Sequence, residues 1–404
     1  MKKKQQKWMK FRHRVVRNIA WLILYPYSKI KYNMTVDKFK EQGDRAYLVL
    51  MNHQTAFDQF FVGMAFRGPI YYVASEDIFS KGFVSSLIRY LVAPIPIKKQ
   101  ATDVAAVLNC MRVAREGGTI AIAPEGNRTY SGKTEYMSPA IAMLAKKIKL
   151  PIVLYRIEGG YGVHPRWSDV VRKGSMHCYV HRVIEPEEYV NMTDDELFSE
   201  IEKGLFVNEG VADGIFKSAQ KAEYLERAMY VCPYCGLTTF ESNGDTIKCK
   251  KCNRVVKYGE DKRLIGEGFD FPFEFTTEWY DHQKDFVNAL APAQYYDTPM
   301  YNEVTNMSEV IVNKRKNVLA ENASVRLYGN RITVNENTDN EYVFRFDDVT
   351  AISVLGRNKL NIYYDKRVFQ FKSDKRFNAL KYVNIYYRYR NVSKGDTNGQ
   401  FLGL

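Results

Sequence analysis

The chain has 404 residues, 46% hydrophobic and 26% charged, with a formal net charge of +13. This composition excludes a disordered or fibrous chain and allows two or three domains with real cores. Ten Lys and Arg residues, from Lys2 to Lys31, precede the first acid at Asp37, so the excess is local. That excludes a uniformly basic nucleic-acid binder and points to an anionic surface meeting one end of the protein.

Residues 1–34 form a basic start, an apolar run over 15–25 and then Pro26. A spanning helix needs about 20 apolar residues, and this run is about half that. No small-residue cleavage site follows it. Basic residues beside Trp21, Tyr25 and Tyr27 suit an amphipathic helix in a headgroup layer; the competing reading packs that helix on its own domain. The expectation is a peripheral or monotopic position on the cytoplasmic face of an anionic membrane.

From residue 35 to 200, strand-like and helix-like runs alternate. Strands are expected over 46–51, 69–74, 119–123 and 152–157, with an apolar run over 93–97. Helices are expected from Thr55, over 80–91, and over 103–115 with Gly117-Gly118 closing the last. The alternation predicts an α/β fold, a mixed sheet flanked by helices, whose site lies where strands end and helices begin.

Two polar clusters sit at such points. Asn52-His53-Gln54-Thr55-Ala56-Phe57-Asp58 follows the first strand. Thr55 and Asp58 have capping-box spacing, so a helix starting at Thr55 would leave His53 in the turn, within reach of Asp58 one helical turn on. A carboxylate beside an imidazole fixes its tautomer and stabilises the imidazolium, which makes His53 a general base with an orienting partner. Taken alone, the stretch reads first as a capped helix with a packed histidine; the clusters downstream reverse that order. The second cluster, Pro124-Glu125-Gly126-Asn127-Arg128, follows the 119–123 strand. Gly126 permits a turn or a close approach, and Arg128 is a natural phosphate clamp; taken alone, the cluster reads first as a solvated turn with a surface Glu–Arg pair. Lys98-Lys99 ends the 93–97 run and either faces the same pocket or lies on the surface.

This ordered set resembles the glycerolipid acyltransferase family, of the lysophosphatidate acyltransferase type. His53 and Asp58 match its His-x4-Asp motif. Lys99 stands at the Arg position of the second motif, 124–128 match Pro-Glu-Gly-x-Arg, and Pro151-Ile152-Val153 match the fourth. The resemblance covers about two fifths of the chain and implies an acyltransferase domain over 35–215. It implies transfer of an acyl group from a thioester, acyl-CoA or acyl carrier protein, to a hydroxyl of glycerol phosphate or a lysophospholipid. His53 and Asp58 would be catalytic, and Lys99, Glu125, Gly126 and Arg128 would bind the acceptor. No catalytic cofactor is implied. Lys99 for Arg turns a bidentate phosphate contact into a point charge. His13, His164, His177, His181 and His282 have no ligand spacing and are assigned to surface or packing.

A helix over 217–229, with Ala222, Leu225 and Met229 on one face, is expected to lead out of the core. Cys232-Pro233-Tyr234-Cys235-Gly236 and Cys249-Lys250-Lys251-Cys252-Asn253 follow, thirteen residues apart. Each pair precedes a residue that tolerates the left-handed conformation of a metal knuckle. The pattern is that of a zinc ribbon over 216–260, Cys232, Cys235, Cys249 and Cys252 closing a tetrahedral shell around a structural Zn²⁺. Its lack of an aromatic–basic stripe favours protein or domain docking over nucleic acid. Cys110 and Cys178 stand alone. Residues 261–310 are expected to be an aromatic connecting segment.

Residues 311–391 show short strands over 318–319, 324–328, 331–334, 342–346, 350–354, 359–364 and 368–371, then an amphipathic helix over 375–389. Strands closed by one C-terminal helix resemble a pleckstrin-homology-like barrel, which implies binding of lipid headgroups or proteins. Residues 392–404 are expected to be a loose tail. The leading functional expectation is a membrane-surface acyltransferase; the alternative is a non-catalytic membrane-associated adaptor built on an acyltransferase fold.

Overall fold

The computed structural model describes residues 7–75, 83–97, 103–311, 316–396 and 401–403. The chain divides into two units, Met1–Pro165 with Val171–Gly214, and Arg166–Val170 with Ile215–Leu404.

In the first unit, strands β1 (Met34–Val36), β2 (Leu48–Met51), β3 (Ile70–Ser75), β4 (Ile95–Ile97), β5 (Thr119–Ile122), β6 (Ile152–Glu158) and β7 (Met176–Ile184) form one sheet, in the order β1-β7-β6-β2-β5-β3-β4. Four apolar residues in a row suit β2 to its central place, buried on both faces and parallel to β5 and β6. The antiparallel pairing of β6 with β7 makes the sheet mixed. Helices α1 (Phe11–Tyr32), α2 (Asp58–Ala65), α3 (Phe83–Val92), α4 (Val104–Arg115), α5 (Ala140–Ile148), α6 (Gly160–Val163), α7 (Pro186–Tyr189) and α8 (Asp194–Leu205) accompany it. Leu48 and Leu50 of β2, Ile120 of β5 and Leu154 of β6 pack with Val113 of α4 and Ala145 of α5 in a single core. The α/β expectation holds. Asp103 caps α4, its carboxylate accepting the Ala106 amide at 3.1 Å. Helix α2 begins three residues later than expected, because the Thr55 hydroxyl accepts the Phe57 amide and not one in a helical turn.

The second unit takes in a short segment from the middle of the first, Arg166–Val170. Trp167 is fully buried with its ring edge-on to Tyr258. Arg166 donates to the carbonyls of Val354 and Gly356, and Asp169 pairs with Arg227 at 2.8 Å and Arg357 at 3.0 Å. The expected helix over 217–229 is not formed; a single tight turn spans Leu225–Arg227. The Ala222 amide donates to the Gly244 carbonyl and the Tyr224 amide to the Ser242 hydroxyl, and Tyr224 takes φ +73°. These tertiary bonds replace the helical ladder, while Ala222, Leu225 and Met229 stay buried.

Strands β8 (Val231–Cys232) and β9 (Gly236–Leu237) pair as a hairpin, and β10 (Phe240–Asn243), β11 (Thr246–Cys249), β12 (Val255–Tyr258) and β13 (Leu264–Gly266) form an antiparallel sheet. The aromatic segment that follows has structure of its own. Helix α9 (Thr276–Ala289) buries Trp279 against Phe240 and Phe271, with ring centroids 5.3 and 5.1 Å away. The Trp279 Nε1–H donates to the Val231 carbonyl at 2.8 Å. Gln283, also buried, accepts the Tyr230 and Val231 amides and donates to the Ala228 carbonyl.

The C-terminal sheet begins ten residues earlier than expected. Strands β14 (Tyr301–Glu309), β15 (Asn317–Leu327), β16 (Arg331–Val334), β17 (Tyr342–Arg345), β18 (Val349–Leu355), β19 (Lys359–Tyr364) and β20 (Arg367–Lys372) make a nearly closed antiparallel barrel, order β17-β16-β15-β14-β20-β19-β18. The two short strands expected around 318 and 326 are one long strand, β15, which pairs with β14 through a register shift. Helix α10 (Leu380–Ser393) packs on β18. The tail is not loose throughout: Leu402 is buried, and its carbonyl accepts the Asn384 side-chain amide at 2.8 Å. Trp279→Ala should lower the stability of the second unit by about 3–5 kcal/mol in a urea titration; an unchanged midpoint would show that α9 does not hold the β8–β10 region together.

Candidate active site and a four-cysteine cluster

β2 delivers Asn52 and His53 to the C-terminal edge of the sheet. The fully buried Asn52 amide bridges to β6, donating to the Ile157 carbonyl at 2.9 Å and accepting the Ile157 amide at 2.8 Å. It fixes the chain one residue before the histidine. The next turn is wound around Asp58, which is fully buried. Its carboxylate accepts the Gln54 amide at 2.7 Å, the Thr55 amide at 2.9 Å, the Thr55 hydroxyl at 2.7 Å and His53 Nδ1–H at 2.7 Å. A buried carboxylate is tolerated only when so supplied with donors. With Nδ1 committed to Asp58, Nε2 keeps its lone pair. The His53 side chain is 23% exposed, open to a substrate.

The loop after β5 is tied to the same histidine at both ends. The His53 amide donates to Glu125 Oε1 at 2.8 Å, and the His53 carbonyl accepts the Thr129 amide at 3.1 Å. Glu125 Oε2 accepts the Glu135 amide at 3.0 Å. Both oxygens of Glu125 are thus engaged by main-chain donors beneath the loop. Its burial pushes the carboxyl up to about 8, against those two donors, which pull it down. Gly126 takes φ +68° with open space where a Cβ would be, so it serves the turn and not a close approach. Arg128 is half-buried and rides on this pinned loop between Gly126 and Thr129. Lys99 lies outside the described residues. Gly160 meets the far side of the His53 turn: a Cβ there would fall 2.7 Å from Gln54 Cβ. The roles of Asn52, Thr129 and Glu135 carried no distinctive sequence signal: Asn52 bonds the distant Ile157 main chain, and Thr129 and Glu135 act through their own amides, which any residue carries.

The four paired cysteines converge in the second unit. Their Sγ atoms all lie within 4.8 Å of one another, with Cys232–Cys252 at 3.8 Å and Cys235–Cys249 at 3.6 Å. Four thiolates about 2.3 Å from a tetrahedral ion would be spaced by about 3.8 Å, so the donor set fits a metal. Gly236 and Asn253, after each pair, take φ +71° and +61°. The Thr238 hydroxyl lies 3.6 Å from the Cys249 sulfur.

The buried Glu125 makes a pH-dependent contribution. Its folded-state pKa is raised from 4.5 to about 8, so the folded chain holds one more proton than the unfolded chain between those values. Stability from this group is full below pH 4.5 and falls as pH rises towards about 8, by up to about 1.4 kcal/mol per pH unit. The difference in denaturation free energy between wild type and Glu125→Gln, followed across that range, should change with this sign; a flat difference would remove the assignment.

Comparison with known proteins places these clusters in context. Over 181 residues, the chain is 21% identical to the chloroplastic 1-acyl-sn-glycerol-3-phosphate acyltransferase LPAT1 of Arabidopsis thaliana, covering 43% of this chain and 49% of that protein. The chain thus spans about half the length of that curated relative. The crystal structure of the 1-acyl-sn-glycerophosphate (LPA) acyltransferase PlsC from Thermotoga maritima is similar at 22% identity and a TM-score of 0.40, over 49% of this chain and 80% of that one. Residues 3–157, the span that carries His53, Asp58 and the pinned 124–129 loop, match the family model described as Acyltransferase.

Proposed function

We propose that the chain moves a fatty acyl group from a thioester donor, acyl-CoA or acyl carrier protein, to a hydroxyl of a glycerol-phosphate or lysophospholipid acceptor. The observation that carries this reading is the 2.7 Å His53–Asp58 pair with the Glu125–Thr129 loop bonded to the histidine's own backbone. An alcohol is a poor nucleophile until its proton leaves. His53 Nε2 takes that proton as the hydroxyl oxygen attacks the thioester carbonyl, and Asp58 steadies the imidazolium that results. As the C–S bond breaks, the proton passes from Nε2 to the leaving thiolate. Arg128 and Lys99 hold the acceptor's phosphate. Glu125 acts as a positioning residue, setting the His53 backbone against the loop.

In this reading the protein sits peripherally on the cytoplasmic face of an anionic membrane, held by the basic segment that ends in α1. None of the described helices is long and apolar enough to cross a membrane. Cys232, Cys235, Cys249 and Cys252 hold a structural Zn²⁺; a shell of four protein thiolates leaves no position for substrate. The seven-stranded barrel with α10 is a pleckstrin-homology-like module, and it or the ribbon receives a protein partner.

His53→Ala should lower kcat by about 10²–10⁴-fold with acceptor KM little changed, measured by mass spectrometry of acyl transfer from each donor to each acceptor. Undiminished turnover would remove His53 as the base, and absence of transfer from the wild type in every pairing would favour an adaptor. Elemental analysis of the purified protein should find one zinc per chain, and Cys249→Ser should lower both zinc content and Tm. A metal-free protein with wild-type Tm would exclude the structural ion.

A further inference from the structure

In the second unit, strand β10 lies at the edge of its sheet and pairs with β11 alone. The Lys250 amide donates to the Thr239 carbonyl, so the odd-numbered residues of this stretch face β11. Main-chain groups alternate sides along a strand, and those of Phe240 and Ser242 therefore point away from the sheet. β14 has an open edge too. It pairs with β15 from Tyr301 to Glu309, but β20 reaches only 306–309. Ser324, opposite Val304 on β15, spends its main-chain groups on Asn335 at its other side. The Val304 main chain accordingly faces away from β15.

Both edges wall one cavity of about 640 Å³, a size that takes ligands. Each edge is bonded by a side chain where a strand would otherwise lie. Ser373 Oγ–H donates to the Val304 carbonyl at 2.6 Å, and Arg376 Nη1–H to the Ser242 carbonyl at 2.8 Å; Ser373 and Arg376 themselves line the cavity. The Phe240 N–H and C=O and the Val304 N–H make no such bond among the described residues. Two buried side chains of the lining are also unmatched. Glu226 is 4% exposed and Thr305 2%, and neither Glu226 Oε2 nor Thr305 Oγ1 has a hydrogen-bond partner among the described residues. Most of the lining charge is balanced: Lys381 pairs with Glu303 at 2.7 Å and Lys250 with Glu241 at 3.3 Å, while Lys372 and Asp374 are exposed and opposite in sign. Arg376, however, is shared by Glu226 and Glu223, which leaves one carboxylate in excess.

We propose that this cavity takes an extended peptide segment of a partner protein, added as a strand against the β10 and β14 edges, with a lysine ammonium on Glu226. The inference rests on the reading that the ribbon or the barrel receives a protein partner, and not on acyl transfer. A polypeptide main chain carries N–H and C=O groups at the strand repeat, which matches the Phe240 pair and the Val304 amide. The charge of the occupant follows from the excess carboxylate. A phosphate or an acidic side chain would be repelled there, whereas a lysine neutralises it and gives Glu226 Oε2 a donor. Burial pushes the Glu226 carboxyl up, and an ammonium beside it acts in the opposite direction.

The test selects phage-displayed random heptapeptides on the full chain and titrates the synthetic peptides by fluorescence anisotropy. Lysine-containing sequences should be enriched, and their binding should slow hydrogen exchange at the Phe240 and Val304 amides by at least about tenfold. Val304→Pro removes an N–H that serves no ladder bond, so this variant should keep a Tm close to wild type and bind about tenfold more weakly; Val304→Ala should bind like wild type. Glu226→Gln should weaken a lysine peptide by about tenfold and leave its glutamine counterpart unchanged. Peptides that bind without protecting either amide would overturn this site while leaving the partner reading of the module standing. Failure to select any peptide would also overturn it. So would a chain that is dimeric without peptide and becomes monomeric in Val304→Pro, since a second copy would then hold the edge. The readout needs no turnover, and His53→Ala should bind peptide like wild type, so failure here and failure of the acyl-transfer reading are distinguishable.

Discussion

The geometry of the His53 turn in the first unit depends on one buried carboxyl group. Asp58 has no contact with solvent, so its carboxylate requires donors, and the chain supplies them from the three preceding positions of interest: the His53 ring, the Gln54 amide, and the Thr55 amide and hydroxyl. Meeting that demand bends the backbone out of helix until residue 58 and turns the imidazole so that its other nitrogen is left available. The orientation of the histidine is therefore a by-product of satisfying a carboxylate. Main-chain bonds to Glu125 and Thr129 then transmit this geometry to the neighbouring loop. Two loops from adjacent parallel strands are held as one piece.

The second unit uses polar anchors in much the same way. Gln283 spends three hydrogen bonds on the backbone around Ala228–Val231. Arg227, buried, donates to the Trp167 carbonyl and to Asp169. Lys381 is buried against Glu303 at 2.7 Å, with the Tyr301 ring centroid 4.0 Å away. Each is a group whose loss would leave a buried partner unsatisfied, which costs more than the bond contributes. They give irregular chain segments fixed positions that hydrophobic contact alone would leave loose.

Much of this was legible in the sequence because the signals were local. Central strands read directly as apolar runs, and the five-residue spacing of His53 and Asp58 described a turn whose contact is made at 2.7 Å. The cysteine pairs were legible for the same reason. What escaped notice was set by distant partners. Residues 217–229 have helical periodicity, yet the Ala222 and Tyr224 amides go to the β10–β11 hairpin. β14 was hidden in an aromatic segment because its burial alternates irregularly along nine residues. Helix α3 was expected only as a helical stretch over 80–91; which of its faces lies outside is set by its packing.

The segment Arg166–Val170 has a consequence for how the polypeptide can be divided. It leaves the sheet just after β6, joins the second unit and returns before β7, so the boundary between units is crossed three times. A cut after Gly214 would not yield two self-sufficient halves. The amino-terminal piece would carry an indole and an unsheltered guanidinium from Trp167 and Arg166 into water, and the carboxy-terminal piece would keep an empty slot beside Tyr258 and a stranded Arg227. The two units are covalently interleaved, and inheritance, truncation or fusion of one alone must contend with those five residues.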